Sequence, residues 1–188
     1  MWDAHAFFSG LAANWHVWLI TAVLVVAAVI DGWKLKVPNW ITFPLVISGW
    51  AYSGALFGWP GLGWSLFGTA VGLGLLLPAY AIGGMGAGDV KLLAGVGAWV
   101  GGTVTFYAFC FSAIFGGVIA LAMVLYARTW RQHRRQFWSI LTEIMVVRSP
   151  DQLAALAAGR KSSMMLLPYG IPIAVGTIIY FIWAGMLL

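Results

Sequence analysis

Two aspartates stand out as the side chains placed to do chemistry. The chain has 188 residues and five acidic side chains, Asp3, Asp31, Asp89, Glu143 and Asp151. Only Asp31 and Asp89 stand directly against long apolar runs. Asp31 closes a run in which Thr21 is the sole polar side chain after His16, and Asp89 follows Gly83-Gly84-Met85-Gly86-Ala87-Gly88. Two carboxylates sharing one site cannot both ionise cheaply. One keeps a proton, and the pair can then activate a water and protonate a leaving amine. That is aspartic-peptidase chemistry, which needs no covalent intermediate. Each acid also has a plainer role open to it. Asp89 can be the N-cap of the helix it opens, and Asp31 can pair with Lys34 at i, i+3. The glycines before Asp89 allow positive φ and leave room for an extended peptide, or they form a simple turn. Gly-x-x-x-x-Gly-Lys-Ser/Thr spacing is absent, so they are not a phosphate loop.

The elements that must position these acids follow from composition. Hydrophobic residues make up 62% of the chain and charged residues 8%, against roughly 25% charged in an average soluble chain. A soluble domain and a disordered chain are both excluded. Four stretches carry no charge: 4–30, 37–88, 92–127 and 162–188, of 27, 52, 36 and 27 residues. A membrane-spanning helix needs about 20 apolar residues. The runs are continuous rather than alternating in short segments, so an all-α polytopic membrane protein is expected, not a β-barrel.

The ten basic residues set the expected topology. If 92–127 is one span, three bases fall on one side and seven on the other; if it is two, all ten share the cytoplasmic side. The second arrangement gives six spans. Its cytoplasmic connections are 31–38, 83–91 and 128–168, and its outer turns are 57–63 and the Gly101-Gly102 corner. The fourth span, about 90–100, is short, which a thinned bilayer, a small tilt or a protein-lined setting would accommodate. Met1-Trp2-Asp3 has no positive n-region, so the first span is expected to be retained. Within 128–168, Arg128, Arg131 and Arg135 share a helical face ahead of Phe137, Trp138, Leu141 and Met145. This predicts an interfacial helix against anionic headgroups, with a further helix starting at Ser149-Pro150. No nucleic-acid role is expected. Cys110, the single cysteine, reads as a small buried hydrophobe. His5, His16 and His133 lack metal-ligand spacing, and no metal or cofactor is expected.

Gly86-Ala87-Gly88-Asp89 is a GxGD motif, and its setting through Leu93 resembles the type IV prepilin peptidases. Asp31-Gly32-Trp33-Lys34-Leu35-Lys36-Val37-Pro38-Asn39-Trp40-Ile41-Thr42 is similar to that family's first-aspartate region. Pro168-Tyr169-Gly170-Ile171-Pro172 is similar to its segment before the last span. The resemblance implies that Asp31 and Asp89 are the catalytic aspartates. It implies cleavage of a basic leader from prepilin or pilin-like membrane substrates, after a glycine and before an apolar helix. The setting implied is the cytoplasmic face of a bacterial or archaeal-type inner membrane. Gly86, Gly88, Pro38, Asn39, Lys34 and Lys91 complete the expected site. Lys34, Lys36 or Lys91 can neutralise a substrate glutamate or bias the aspartates, or Lys91 can simply pack on headgroups. The long enzymes of the family carry paired Cys-x-x-Cys motifs and a methyltransferase activity. With one cysteine, this chain resembles the short form associated with Flp-type pili. The alternative function is a non-catalytic transporter or pilus-assembly scaffold in which the paired aspartates bind an ion or proton; transport sites tend to lie near the midplane with broken helices, whereas these two acids are expected at one border.

Overall fold

The structure is a computed structural model in which residues 14–81, 84–126 and 168–187 are described. They form four helices: α1 (Trp15–Lys34), α2 (Asn39–Ala81), α3 (Ala87–Tyr126) and α4 (Gly170–Trp183). No strand occurs among the described residues. Among the described residues, three helices are long and apolar enough to cross a membrane: Trp15–Lys34, Asn39–Ala81 and Ala87–Met123. The all-α membrane class read from composition is the class observed. Nearly all of the 128–168 segment, including the interfacial helix and the start at Ser149-Pro150, lies outside the described residues, as do Gly83, His5 and His133.

Two of these helices are folded hairpins. Straight, the 43 residues of α2 would extend about 65 Å, twice the roughly 30 Å of a hydrocarbon core. The helix breaks at Gly58 (φ 62°, ψ −149°), and α3 breaks at Gly101 (φ 76°, ψ 175°). Both angle pairs lie in a region open essentially to glycine alone. The outer turn is tighter than the expected 57–63: helical geometry resumes at once, with Pro60 inside the helix. Early in a helical arm its missing N–H leaves nothing unsatisfied. The expected Gly101-Gly102 corner is a single break at Gly101.

The two arms of α2 lie side by side. Trp50 Nε1–H donates to Thr69 Oγ1 at 2.9 Å. Both arms then pack on the first arm of α3. A Cβ built on Gly49 would stand 2.7 Å from the Ala98 Cβ, and one on Gly72 would stand 2.6 Å from the Leu93 carbonyl oxygen. Gly68 and Gly97 meet backbone to backbone. In lipid, where apolar side chains gain nothing by leaving solvent, such close approach is a main source of helix association. Polar groups add to it: Trp99 Nε1–H donates to the Leu45 carbonyl at 2.9 Å, and Ser65 Oγ–H to the Ala98 carbonyl.

The short first arm of α3 is thereby explained. Residues 92–102 are all buried, so this arm is the centre of the bundle and contacts protein instead of lipid. Of the settings that would tolerate a short span, the protein-lined one is found. α4 packs on α3 and α1, while α1 touches α3 only lightly. This arrangement brings the last turn of α1, the first turn of α3 and the start of α4 together.

The packing makes a stability prediction. Gly68→Ala drives a methyl into the Gly97 backbone, which cannot yield as a flexible side chain can, and overpacking of this kind costs about 1–3 kcal/mol. Gly74, whose Cβ would meet nothing within 4 Å, is the control. Thermal unfolding in detergent should show a lowered midpoint for Gly68→Ala and an unchanged or raised one for Gly74→Ala.

Candidate active site

The chain stops α1 just beyond Asp31. Leu35 takes a left-handed conformation (φ 50°, ψ 36°), and its N–H donates to the Asp31 carbonyl. Pro38, with its fixed φ, then launches α2: its carbonyl accepts the N–H of Ile41 at 3.1 Å. The link between the two helices lies on the start of α3. A Cβ on Gly88 would sit 2.5 Å from the Val37 carbonyl oxygen, so a glycine is needed there for steric reasons.

Both aspartate side chains are withdrawn from the surface, Asp31 at 2% exposure and Asp89 at 5%. Each is held by one backbone N–H at a helix start. Gly170 N–H, at the first residue of α4, donates to Asp31 Oδ2 at 2.8 Å. Gly86 N–H, just ahead of α3, donates to Asp89 Oδ2 at 3.2 Å. The first N–H groups of a helix have no partner within it, and the N-terminus carries partial positive charge. Both donors therefore suit a carboxylate. α4 has no side-chain cap of its own; Asp31 serves it from another helix.

These contacts correct the two plainer roles. Asp89 is not the N-cap of α3. It is the third residue of the helix and reaches back to the Gly86 N–H, as the acidic member of a capping box does. Asp31 is bonded to Gly170 rather than paired with Lys34, which is exposed in the last turn of α1. The Asp31 charge acts on Asp89, so the two carboxylates share one electrostatic site. Asp89 Oδ1 is buried without a hydrogen-bond partner among the described residues, and an acceptor left in that state is costly unless a ligand or water uses it.

Lys91 is engaged within the fold. Its Nζ donates to Asn39 Oδ1 at 3.1 Å and lies 4.8 Å from the centre of the Phe43 ring. It therefore braces the first turn of α3 to the first turn of α2. Of the other expected site residues, Gly86 is bonded to Asp89, Gly88 lies against Val37, and Pro38 and Asn39 form the start of α2. Lys34 and Lys36 are exposed at the edge.

Two residues join the site that their types alone did not single out. Gly170 supplies the donor to Asp31, and any side chain there would collide with it: its Cβ would stand 2.8 Å from Asp31 Oδ2. Tyr169 is half-buried beside Asp89; burial first, and the Asp89 charge second, push its phenol above the usual tyrosine value. It stays protonated through the neutral range and is available as a donor. In the sequence, residues 168–172 stand out as a similar segment but carry no acid, base or nucleophile to mark them. Among the described residues no group of three or more His, Cys, Asp or Glu could hold a metal ion. Cys110 is half-buried within α3.

Residues 18–121 match the type IV leader peptidase family, a stretch that contains both aspartates. Among curated proteins, the chain is similar to prepilin leader peptidase/N-methyltransferases of Aeromonas salmonicida strain A449 and Aeromonas hydrophila. It is 32% identical to each over 114 residues, 57% of this chain and 39% of each relative. The match thus spans well under two thirds of the relatives' length. No solved structure matches the chain.

The Lys91–Asn39 brace is measurable. A double-mutant cycle of Lys91→Ala and Asn39→Ala, read by unfolding in detergent, should give a coupling of about 0.5–1 kcal/mol. Purely additive losses would show that the two side chains act separately.

Proposed function

The chain belongs to the type IV leader peptidase family, and from that premise we propose that it is an aspartic endopeptidase acting through Asp31 and Asp89. The observation that carries this reading is the shared burial of two carboxylates, each on a single helix-start N–H, with one acceptor oxygen of Asp89 left unused. The substrate is a prepilin, the class in the relatives' name, or a pilin-like membrane protein. Its basic leader is cut off at the cytoplasmic face of the inner membrane, where the basic connections lie by the positive-inside rule.

In the reaction, the ionised carboxylate of the pair takes a proton from water as its oxygen attacks the scissile carbonyl. The protonated carboxyl gives its proton to the leaving nitrogen as the C–N bond breaks. Amide and water become acid and amine, and the pair ends with one proton, as it began. Because the two groups titrate as a coupled pair, the shared proton belongs to the site rather than to one residue. Tyr169, protonated in the field of Asp89, supplies a neutral donor to the developing oxyanion. No third charged group is required by this cycle.

A transport or scaffold role would put the acids near midplane broken helices. Here the breaks, Gly58 and Gly101, lie at the far ends of the helical arms from Asp31 and Asp89, which favours the peptidase.

Asp31→Asn and Asp89→Asn should each lower cleavage of a co-expressed prepilin by at least about 100-fold while the protein stays in the membrane; full cleavage by either variant rules out the pair. Gly170→Ala tests the positioning of Asp31. The new methyl crowds the carboxylate, and the cleavage rate should fall about tenfold or more with membrane levels unchanged.

A further inference from the structure

A cleft of about 330 Å³ lies between the second arms of α2 and α3 and the start of α4. One wall is the second arm of α2, through Leu75, Leu76 and Ala79. The other is the second arm of α3, through Ala113, Gly117 and Ala120. Tyr169, Met85 and the start of α4 close its inner side. The arms meet at their outer ends, where a Cβ on Gly102 would stand 2.6 Å from the Phe67 ring and 3.1 Å from Val71. Toward the cytoplasmic end they separate. Small residues cause the gap: at i, i+4 and i+7 of one face, Ala113, Gly117 and Ala120 offer no bulk to fill it, and a Cβ on Gly117 would meet nothing within 4 Å.

The geometry points to this cleft as the seat of the first turns of the substrate's apolar helix, an inference that rests on the peptidase reading above. Three observations favour a helix as the occupant. The cleft adjoins the acid site, since its wall residues Met85 and Tyr169 directly precede Gly86 and Gly170, whose N–H groups hold Asp89 and Asp31. It runs from Tyr169 past Pro172 and Ile173 along α4, a path that leads away from the helix start holding Asp31. Its small-residue wall suits close backbone approach by another helix, and its volume lies within the about 300–1,000 Å³ of binding clefts. A second groove, of about 390 Å³ between α1 and α2, has walls that include Leu19, Ala22, Val26 and Pro44. It reaches Trp40 and Ile41 in the first turn of α2, but none of its wall residues is next in sequence to Gly86 or Gly170, the donors to the two acids.

The test uses the full-length protein in lipid nanodiscs and a synthetic substrate with a basic leader, a glycine before the scissile bond and an apolar helix. Gly117→Leu fills open space and leaves the bundle's own contacts intact. It should raise KM about tenfold with kcat little changed. In an Asp89→Asn, Cys110→Ser background, Gly117→Cys should cross-link to a cysteine in the first two turns of the substrate helix, and Ala22→Cys should not. Cross-linking at Ala22 instead of Gly117, or an unchanged KM in Gly117→Leu, overturns the cleft, the latter being the result expected if a lipid acyl chain is its occupant. Failure of the unmodified protein to cleave the substrate overturns the peptidase reading itself, and the cleft with it.

Discussion

Two buried carboxylates, each met by an unsatisfied N–H at the start of a helix, are the constraint around which the chain is arranged. A carboxylate withdrawn from water is costly, and so is a helix start whose N–H groups have no partner. Bringing the two together offsets both costs at once. Asp89 does this locally, through Gly86 three residues earlier. Asp31 does it across 139 residues of sequence, through Gly170. The second contact requires α1 and α4 to be docked side by side, and in the structure they are.

Glycine serves this arrangement in three different ways. At Gly58 and Gly101 it permits backbone angles closed to other residues, and so lets two long helices fold into hairpins. At Gly68, Gly72 and Gly97 it lets backbones touch, which seats the short arm of α3 in the centre of the bundle. At Gly88 and Gly170 it clears space beside the link after α1 and beside Asp31. The first two uses build a scaffold in lipid; the third shapes the site. Because the central arm is wrapped by protein, the first turn of α3 that carries Asp89 is held in place by the most buried part of the fold.

The roles of the charged residues follow from the same economy. Lys91 spans from α3 to Asn39 and the Phe43 ring, so its charge closes the edge of the site. Lys34 and Lys36 remain exposed beyond Asp31. Tyr169, kept protonated by burial and by Asp89, adds a neutral donor beside two acids and connects the site to the apolar cleft.

The residue pattern by itself determined the all-α membrane class, an outer turn within 57–63 and a corner at Gly101-Gly102, and the appearance of Asp31 and Asp89 at the ends of apolar runs. These are local properties: hydrophobic run length, the conformational range of glycine, and the rarity of charge in lipid all act on neighbours in sequence. An acid at the cap and an acid at the third position of a helix look alike in the residue pattern, because helix starts shift by a residue or two; the structure puts Asp89 third. What only the tertiary structure decided is who answers whom. That Asp31 is bonded to Gly170 and not Lys34, that Lys91 ties to Asn39, and that Tyr169 stands beside Asp89 all depend on helices distant in sequence docking in one register. Packing between helices sets that register, and no spacing along the chain encodes it.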